Sequence, residues 1–432
     1  MNTELTYWYN DIPKHWRIQE LKYLCSTIGS GTTPNSGDDD FYPDEGGIHF
    51  LQTGDLNDGI VENTAKRISD VAVNKFGLRT YPKGSLVVAM YGATIGKLGI
   101  LNFDTTVNQA CCVIKTRQAN IKYLFYALSA SKPLLVLEAK GGGQPNINQD
   151  TLRNWRLLLP PIAYQQKIAN YLDNKISNID AYVSERKKER LLLSDLKKAK
   201  VAEIVTKGLS PNVPLKDSGI PSIGMIPAHW EVRRLKELFE FGSGLPISKA
   251  DLLETGIPVI SYGQIHAKFN RGTKVEEQLI RYVDPSYLET NPSSLVNKGD
   301  VIFADTSEDL EGCGNCVYID KQMPLFAGYH TVILKCRKEN PYLAYLFQSS
   351  NWREQIRKRV CGVKLYSITK TILNSVYVIL PPIEEQIQIV EYLDHECEQI
   401  EKKCALIDKQ IQQLQLLKRA LINEVVTGKK AI

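Results

Sequence analysis

The sequence lacks the features that mark membrane-spanning and secreted proteins. It has no apolar run near the roughly 20 residues that a helix needs to cross a bilayer. Residues 1–8 show no basic region followed by an apolar core, so we predict no signal peptide and expect a cytoplasmic protein without membrane contact. The 9 cysteines are an odd number at irregular spacing, which is typical of free thiols in a reducing compartment.

The sequence also lacks a recognisable catalytic or cofactor motif. It contains no HExxH or GxSxG segment and no convincing acid/base pair. Residues 92–97 are similar to a phosphate loop but are one residue too short, and Leu98 stands where that loop has a hydroxyl residue. Cys313 and Cys316 form one CxxC, but a structural zinc site needs four ligands and no second CxxC occurs. We therefore predict no catalytic residue, no metal site and no cofactor bound by this chain.

The length and composition are those of a globular protein of two or three domains. At 432 residues, with 43% hydrophobic and 23% charged residues, the chain can bury sizeable cores. Its net charge of +5 permits binding to nucleic acid but does not argue for it alone.

A long helical pattern occurs twice, at residues 163–206 and 384–427. Each copy follows a Leu-Pro-Pro-Ile segment, and pairs such as Asp173 and Asp394 recur at one constant offset. The repeat extends to the start of each half, where Ile-Pro-x-His-Trp occurs at residues 12–16 and 226–230. We interpret His15 and His229 as parts of a buried turn. Between these landmarks the β-like stretches agree in position while the loops differ, so we predict two copies of one scaffold with two different surfaces.

The second long helix carries an apolar seam with steps of three and four residues, as in a coiled coil. Its positions are Leu393, Cys397, Ile400, Cys404, Ile407, Ile411, Leu414, Leu417, Leu421 and Val425. The matching positions of the first copy are Leu172, Ile176, Ile179, Val183, Arg186, Arg190, Leu193, Leu196, Lys200 and Ile204. The two helices are expected to pair within the chain, and the alternative is a coiled coil between two chains.

Polar residues in the loops are candidates for DNA contact, because Arg, Lys, Gln and Asn read base edges while Lys, Arg and Ser hold phosphates. In the first half they are Lys97, Lys140, Gln144, Asn146 and Asn148. In the second half they are Lys249, Gln264, Lys268, Arg271, Lys364, Tyr366 and Ser367. A solvated surface role is the alternative for any one of them.

The order of these motifs resembles the specificity subunit of type I restriction–modification systems over essentially the full length. The resemblance rests on the two Ile-Pro-x-His-Trp segments, on Gly54-Asp55, on residues 91–97, on Asn108-Gln109 and on residues 216–220. The Leu-Pro-Pro…Glu-Gln segment is complete at Glu385-Gln386, whereas Tyr164 replaces the glutamate in the first copy.

The resemblance implies an α+β fold in which two similar target-recognition domains are joined by two long antiparallel helices with a pseudo-twofold internal repeat. Each domain is expected to read one half of a split, asymmetric site on double-stranded DNA, and the helices to set the gap. Two modification subunits are expected to dock on the helices, bring S-adenosylmethionine and methylate adenine N6. Restriction subunits are a further expected partner, and this chain itself is expected to do no chemistry.

These expectations divide the chain into five segments. They are the first recognition domain at 1–162, the central helix at 163–207, a linker at 208–225, the second recognition domain at 226–382 and the C-terminal helix at 383–428.

A symmetric register places Arg186 opposite Ile411 and Arg190 opposite Ile407, at the centre of the coiled coil. We expect both arginines to contribute to partner docking, with heads that reach Asp408 or the partner. A locally splayed seam with solvated arginines is the alternative.

Two other functions compete with DNA recognition by a non-catalytic subunit. One is a methyltransferase with its own recognition domain, which the missing cofactor and catalytic loops disfavour. The other is a coiled-coil scaffold without direct DNA readout.

Overall fold

The structure is a computed structural model that describes residues 12–35, 40–43, 45–139, 146–362 and 365–432. It divides into two compact units, one made of Met1–Lys187 with Asp408–Ile432 and the other of Lys188–Ile407. Each unit therefore contains one α/β domain and one stretch of each long helix. This division cuts across the five predicted segments, because each α/β domain packs on parts of both helices.

The first α/β domain, which precedes the first long helix, consists of short strands and helices. The strands are β1 (Arg17–Glu20), β2 (Cys25–Ser30), β3 (Ile48–Leu51), β4 (Gly59–Val61), β5 (Lys66–Ile68), β6 (Leu86–Ala89), β7 (Leu98–Leu101), β8 (Thr105–Val107), β9 (Cys111–Thr116) and β10 (Arg156–Leu159). The helices are α1 (Leu21–Leu24), α2 (Asp70–Phe76), α3 (Ile121–Leu137) and α4 (Gln149–Arg153), followed by the long helix α5 (Ile162–Lys207).

The second α/β domain lies between the two long helices. Its strands and those leading to it are β11 (Leu215–Asp217), β12 (Met225–Pro227), β13 (Glu231–Arg234), β14 (Phe239–Ser243), β15 (Ile257–Ile260), β16 (Arg281–Val283), β17 (Leu295–Val296), β18 (Val301–Ala304), β19 (Thr306–Ser307), β20 (Cys316–Tyr318), β21 (Leu325–Ala327), β22 (Thr331–Cys336), β23 (Tyr366–Ser367) and β24 (Tyr377–Leu380). The helices are α6 (Leu235–Leu238), α7 (Tyr262–Ile265), α8 (Tyr287–Thr290), α9 (Pro341–Gln348), α10 (Ser350–Arg357), α11 (Lys370–Ser375) and the long helix α12 (Ile383–Val426).

The two α/β domains share a strand order over their common strands, and each also has one strand that the other lacks. The larger sheet has the order β2-β9-β6-β7-β4 in the first domain and β14-β22-β18-β20 in the second. The smaller sheet has the order β5-β3-β8 in one and β16-β15-β21-β17 in the other, and in each a parallel pair, β3–β8 or β15–β21, lies among antiparallel ones. The predicted α+β fold with an internal repeat is confirmed.

The core of each unit takes side chains from an α/β domain and from both long helices. In the first unit, Leu172 and Ile176 of α5 and Val425 of α12 join one buried cluster with the sheet residue Val88. In the second unit, Val205 of α5 and Leu393 of α12 join the cluster around Trp230, Phe303 and Trp352. Because both helices complete each core, the α/β domains are anchored to them.

The two long helices run antiparallel within each unit. In the second unit Lys197 forms an ion pair with Glu401, and Lys200, one turn further along α5, pairs with Glu396, which lies earlier on α12. In the first unit Lys418 pairs with Asp180 at 2.7 Å. In each of these three pairs, the residue of α12 lies one position away from the residue that the symmetric register places opposite its partner on α5. The predicted pairing within the chain is thus confirmed.

The predicted seam is wrong at two equivalent positions. Leu196 is 51% exposed and Leu417 is 55% exposed, whereas the neighbouring positions Val201, Val205 and Leu421 are buried. An α-helix has 3.6 residues per turn, so a strict heptad spacing drifts by about 20° per heptad around a straight helix. On α5 the buried Val201 and Val205 lie one position after the predicted Lys200 and Ile204, whereas Leu421 and Val425 of α12 keep their predicted burial.

Each Leu-Pro-Pro segment is followed by a buried glutamine that bonds to the first proline of that segment. The side-chain amide of Gln165 donates to the carbonyl of Pro160 at 2.8 Å, and that of Gln386 donates to Pro381 at 2.7 Å. These amides satisfy backbone carbonyls where the strand ends and the long helix begins.

His15 and His229, interpreted from the sequence as parts of a buried turn, are themselves exposed. The buried member of the second turn is Trp230, whose indole nitrogen donates to Glu385 at 3.1 Å, while His229 Nε2 contacts the same carboxylate at 2.8 Å. In the first copy Tyr164 stands in place of this glutamate, and Trp16 packs edge-on against its ring at 6.0 Å. The first copy therefore has an aromatic contact where the second copy has hydrogen bonds.

Within the part of the chain that the structure describes, none of the helices combines the length and the apolar character needed to traverse a lipid bilayer.

In each unit a tyrosine of the α/β domain bonds to the repeated aspartate of a long helix. Tyr126 donates to Asp173 at 2.8 Å, and Tyr345 donates to Asp394 at 2.5 Å. Burial, and then the bonded carboxylate, raises the pKa of both hydroxyls, so they keep their protons and act as donors.

We expect Tyr345→Phe to lower the free energy of unfolding by about 1–2 kcal/mol, because the phenylalanine cannot donate to Asp394. Urea unfolding followed by tryptophan fluorescence measures the change. Tyr377→Phe is the control, since its hydroxyl only accepts an exposed bond from Arg234 and its loss should stay within about 0.5 kcal/mol. Equal losses in both variants would contradict the anchoring role.

Candidate nucleic-acid interface

A polar cleft of about 490 Å³ opens on the second α/β domain. Its walls come from the end of β14, the start of β19, the turn between β21 and β22, and the segment from β23 into α11. The lining residues are Ser243, Gly244, Asp305, Thr306, Gly328, His330, Thr331, Val332, Ser367, Ile368, Thr369 and Lys370. Most carry groups that donate or accept hydrogen bonds, so the cleft suits a polar ligand.

Local backbone pairing brings these segments together. Strand β23 pairs with β19 through Ser367 and Thr306, and the amide of Ile368 donates to the carbonyl of Asp305 at 2.7 Å. Thr369 then caps α11, because its hydroxyl accepts from the amide of Ile372 at 3.2 Å. Lys370 follows this cap and extends to Ser243 across the cleft, with 2.9 Å between its amine and the serine hydroxyl.

His330 adopts a backbone conformation that is uncommon for residues other than glycine. Its φ angle is 54°, in the left-handed region, and its imidazole lies 3.4 Å from Asp305. The ring also lies edge-on to Tyr262 at 5.3 Å, beside Tyr329, whose pKa is raised by burial. Strained conformations of this kind concentrate at ligand-binding sites.

A hydrogen-bonded chain supports the wall of the cleft. His266 Nε2 donates to the carbonyl of Thr306 at 2.8 Å, and its Nδ1 accepts from Asn315 at 3.1 Å. Asn315 in turn accepts from the buried guanidinium of Arg353 at 2.7 Å. Burial lowers the pKa of Arg353. The chain fixes the imidazole tautomer and orients the wall.

The corresponding region of the first α/β domain has the same backbone frame with different side chains. A bridge between Tyr91 and Asn146 matches the β19–β23 pair, and Asn148 caps α4 as Thr369 caps α11. Gln149 then donates to Ser30 at 2.5 Å, as Lys370 donates to Ser243. The two domains therefore present unlike groups at matched positions.

The first α/β domain also has a smaller basic cleft of about 250 Å³ beside β2. Lys22, Arg79 and Arg153 line it, and all three bond to neighbouring residues. Lys22 forms an ion pair with Glu20 at 2.7 Å. Arg153 donates to the carbonyl of Ile28 at 2.8 Å, and Arg79 donates to Thr27 at 3.3 Å. The two arginines of this cleft favour an anionic ligand such as a phosphate.

The structure brings only some of the sequence candidates to these surfaces. Ser367 lines the cleft of the second domain beside Tyr366, and Asn146 and Asn148 occupy the matching place in the first. Lys97 is half-buried, while Lys249 and Lys268 are exposed away from the cleft lining. Lys140, Gln144 and Lys364 lie outside the described residues.

Three candidates carry structural bonds. Asn148 accepts from the amide of Thr151 at 2.7 Å as a helix cap, and Gln264 accepts from the amide of Ser261 at 3.1 Å in the capping box of α7. Arg271 pairs with Glu276 at 3.3 Å and with Glu401 of α12. Their DNA contacts stay predictions, and Arg271 also ties the second domain to the helix.

Sequence reasoning missed Lys370, Gln149, His330 and Ser243. The repeat offset relates Gln149 to Lys370 and so gave a signal for that pair, but nothing in the sequence placed either residue against a serine at a strand end. The left-handed backbone of His330 likewise needs coordinates to be seen.

The seam of α12 is buried at the two isoleucines that the symmetric register places opposite Arg186 and Arg190. Ile407 and Ile411 are 5% and 9% exposed. The guanidinium of Arg186 lies over the ring of Tyr182 at 4.9 Å. Arg190, about one turn further along α5, is exposed. The expected docking role of both arginines stays a prediction.

The cysteines form no candidate metal site among the residues that the structure covers. No cluster of three or more His, Cys, Asp or Glu side chains suits a metal ion within that part. Burial raises the pKa of Cys25 and Cys112 to about 12 and that of Cys316 to about 11. The CxxC motif is thus a pair of buried thiols in the core of the second unit.

Comparison with protein families matches two stretches of the chain, residues 13–191 and 227–416, to the family described as the type I restriction modification DNA specificity domain. Among curated proteins, the type I restriction enzyme MjaVIII specificity subunit of Methanocaldococcus jannaschii is 25% identical over 427 residues, covering 97% of this chain and 93% of that protein.

Two solved structures share the fold. One, from a study of complex assembly and conformational transition of the type I R-M system, has a TM-score of 0.71 at 16% identity and covers 96% of this chain and 98% of that one. The other, the HsdS subunit from Thermoanaerobacter tengcongensis, has a TM-score of 0.51 at 16% identity and covers 97% and 98%.

We expect iodoacetamide at pH 8 to alkylate the exposed Cys361 well before Cys25, Cys112 or Cys316. The thiolate is the reactive form, and a pKa near 11 or 12 leaves very little thiolate at this pH. Mass spectrometry of peptides from the native protein measures the order, with urea-unfolded protein as the control in which all sites react. Early labelling of Cys316 in native protein would contradict its burial.

Proposed function

The chain belongs to the family of type I restriction–modification DNA specificity subunits, with both of its halves matched, and from this premise we propose that each α/β domain reads one half of a bipartite site on double-stranded DNA. The observation that carries the proposal is that the two domains share one backbone frame but present different side chains at matched positions. Gln149 and Lys370 hold the same place in the two domains. Two copies that present different donors and acceptors select different base sequences, so the site is asymmetric.

Affinity for DNA comes first from its phosphates. Arg79 and Arg153 line one cleft of the first domain and suit phosphate contact, as do the exposed Lys249 and Lys268 of the second. Polar groups in the clefts then select bases. This division between positioning and reading contacts is general in DNA recognition.

The long helices suit a spacer that sets the distance between the half-sites. Helix α5 has 46 residues and α12 has 44. At 1.5 Å per residue each extends about 65–70 Å, which exceeds the roughly 34 Å of one DNA turn. A change in helix length should therefore alter the gap and leave the two half-sites unchanged.

The same helices offer a docking surface for two modification subunits. Leu191, Leu192, Leu196 and Leu406 are 62%, 69%, 51% and 57% exposed in the second unit. Exposed apolar side chains on a long helix are stabilised when another protein covers them. The modification subunits supply S-adenosylmethionine and methylate adenine, and Arg186 and Arg190 contribute to docking. Restriction subunits join the same complex.

The chain contributes recognition and no catalysis in this proposal. A scaffold that never contacts DNA has no specific observation in its favour, because the family is defined by DNA specificity domains and both are present.

DNA binding is tested by a gel shift of the chain with the modification subunit of its own system on random duplexes. We expect a shift whose affinity falls steeply as salt rises, because phosphate contacts release counterions. The chain alone, incubated with radiolabelled S-adenosylmethionine and DNA, should transfer no methyl group. Absence of any shift at low salt would favour the scaffold, and methyl transfer by the chain alone would favour the enzyme.

We expect the double substitution Leu192→Lys and Leu196→Lys to abolish capture of the modification subunit in a pull-down. The two side chains share a face of α5, and a partner that covers them would have to bury two amines. Lys198→Glu is the control, since Lys198 lies on another face of the helix and its side chain is 77% exposed. Unchanged capture by the double variant, with an unchanged melting temperature, would locate docking elsewhere.

A further inference from the structure

Gln149 and Lys370 are equivalent residues of the two α/β domains. Each is the first residue of a short helix, α4 or α11, and each follows a capping residue, Asn148 or Thr369. Each side-chain nitrogen donates to the hydroxyl of the serine that ends a strand, Ser30 of β2 or Ser243 of β14. Sequence offset, capping and contact therefore agree on the equivalence.

The contact with serine orients each side chain and leaves part of its bonding capacity unused. Lys370 is exposed and has three N–H donors, of which one binds Ser243. Gln149 is half-buried and uses one N–H of its amide, which leaves a second N–H and the carbonyl oxygen. Over the described ranges these two side chains make no other hydrogen bond that would use the remaining groups.

The surroundings of Lys370 independently indicate a ligand site. Lys370 lines the cleft of about 490 Å³ together with Ser367 and His330. His330 is held in the left-handed region with φ of 54°, which surrounding structure must stabilise. Asp305 is half-buried and lies 3.4 Å from the imidazole of His330, and among the described residues it forms no ion pair with Lys370. The lysine charge therefore stays available to a ligand.

We propose that Gln149 and Lys370 are matched base-reading residues, with Gln149 contacting an adenine in one half-site and Lys370 a guanine in the other. An amide that keeps one donor and one acceptor matches the N6 donor and N7 acceptor of adenine in the major groove. An ammonium that keeps only donors matches the O6 and N7 acceptors of guanine. The inference rests on the proposed function, and it goes further by assigning one base to one residue in each domain.

A phosphate contact is the competing role for Lys370, because ammonium groups also bind the DNA backbone. The two roles differ in their consequences. Loss of a phosphate contact weakens binding to all sequences alike, whereas loss of a base contact changes which base is preferred at one position.

The test exchanges the two residue types in the full complex with its modification subunits. Lys370→Gln and Gln149→Lys are made separately, and the methylated sequences are read from a random duplex library. We expect Lys370→Gln to shift one position of one half-site from guanine towards adenine by about tenfold, with the other half-site unchanged. Gln149→Lys should shift one position of the other half-site from adenine towards guanine.

Lys358→Gln is the matched control, because it removes the same charge from an exposed lysine that directly follows α10, outside the cleft. It should leave both half-sites unchanged, and the melting temperatures of all variants should match the wild type. A uniform loss of methylation without a change of base, or no change at all, would overturn the assignment of Lys370 and Gln149. A wild-type complex that shows no bipartite site would instead contradict the proposed function.

Discussion

The structure depends on the antiparallel packing of two long helices whose ends complete the cores of the α/β domains. Leu421, Ile422 and Val425, near the end of the chain, are buried in the core of the first unit. Val201 and Val205, at the end of the first long helix, are buried in the core of the second unit. Neither half of the sequence contains all of its own core, so truncation of α12 should expose apolar surface in the first domain. The ion pairs from Asp180, Lys197 and Lys200 to α12 keep the register that these cores require.

Because the helices complete the cores, the backbone frame of each domain is set apart from the side chains proposed to read DNA. The frame is repeated down to single bonds, such as the buried glutamines that donate to Pro160 and Pro381. The reading groups differ at the same places, where an amide in one domain corresponds to an ammonium in the other. Neither Gln149 nor Lys370 belongs to a buried core cluster, so these groups can differ between the domains while the cores stay the same.

The sequence was sufficient for the fold and insufficient for the site. The Leu-Pro-Pro segments and the heptad steps located both long helices to within a residue of their observed ends, because strong periodicity and helix-initiating prolines are local signals. The exposure of Leu196 and Leu417 was missed, since the drift of the stripe depends on what packs beside the helix. The DNA-contact candidates were predicted less well, because residue type alone does not reveal which bonds a side chain makes. Gln264 closes a capping box, and Arg271 forms an ion pair with Glu401. Lys370 became a candidate only when its contact with Ser243 was seen.

The most direct test of the central claim is sequencing of methylated DNA from cells that express this chain with its modification subunit. Two domains of one frame with unlike reading groups predict methylated adenines in a motif of two dissimilar blocks separated by a constant gap. A continuous motif, or two blocks that are inverted copies of each other, would contradict the account. The first result would show that one domain reads alone, and the second that the two domains read alike.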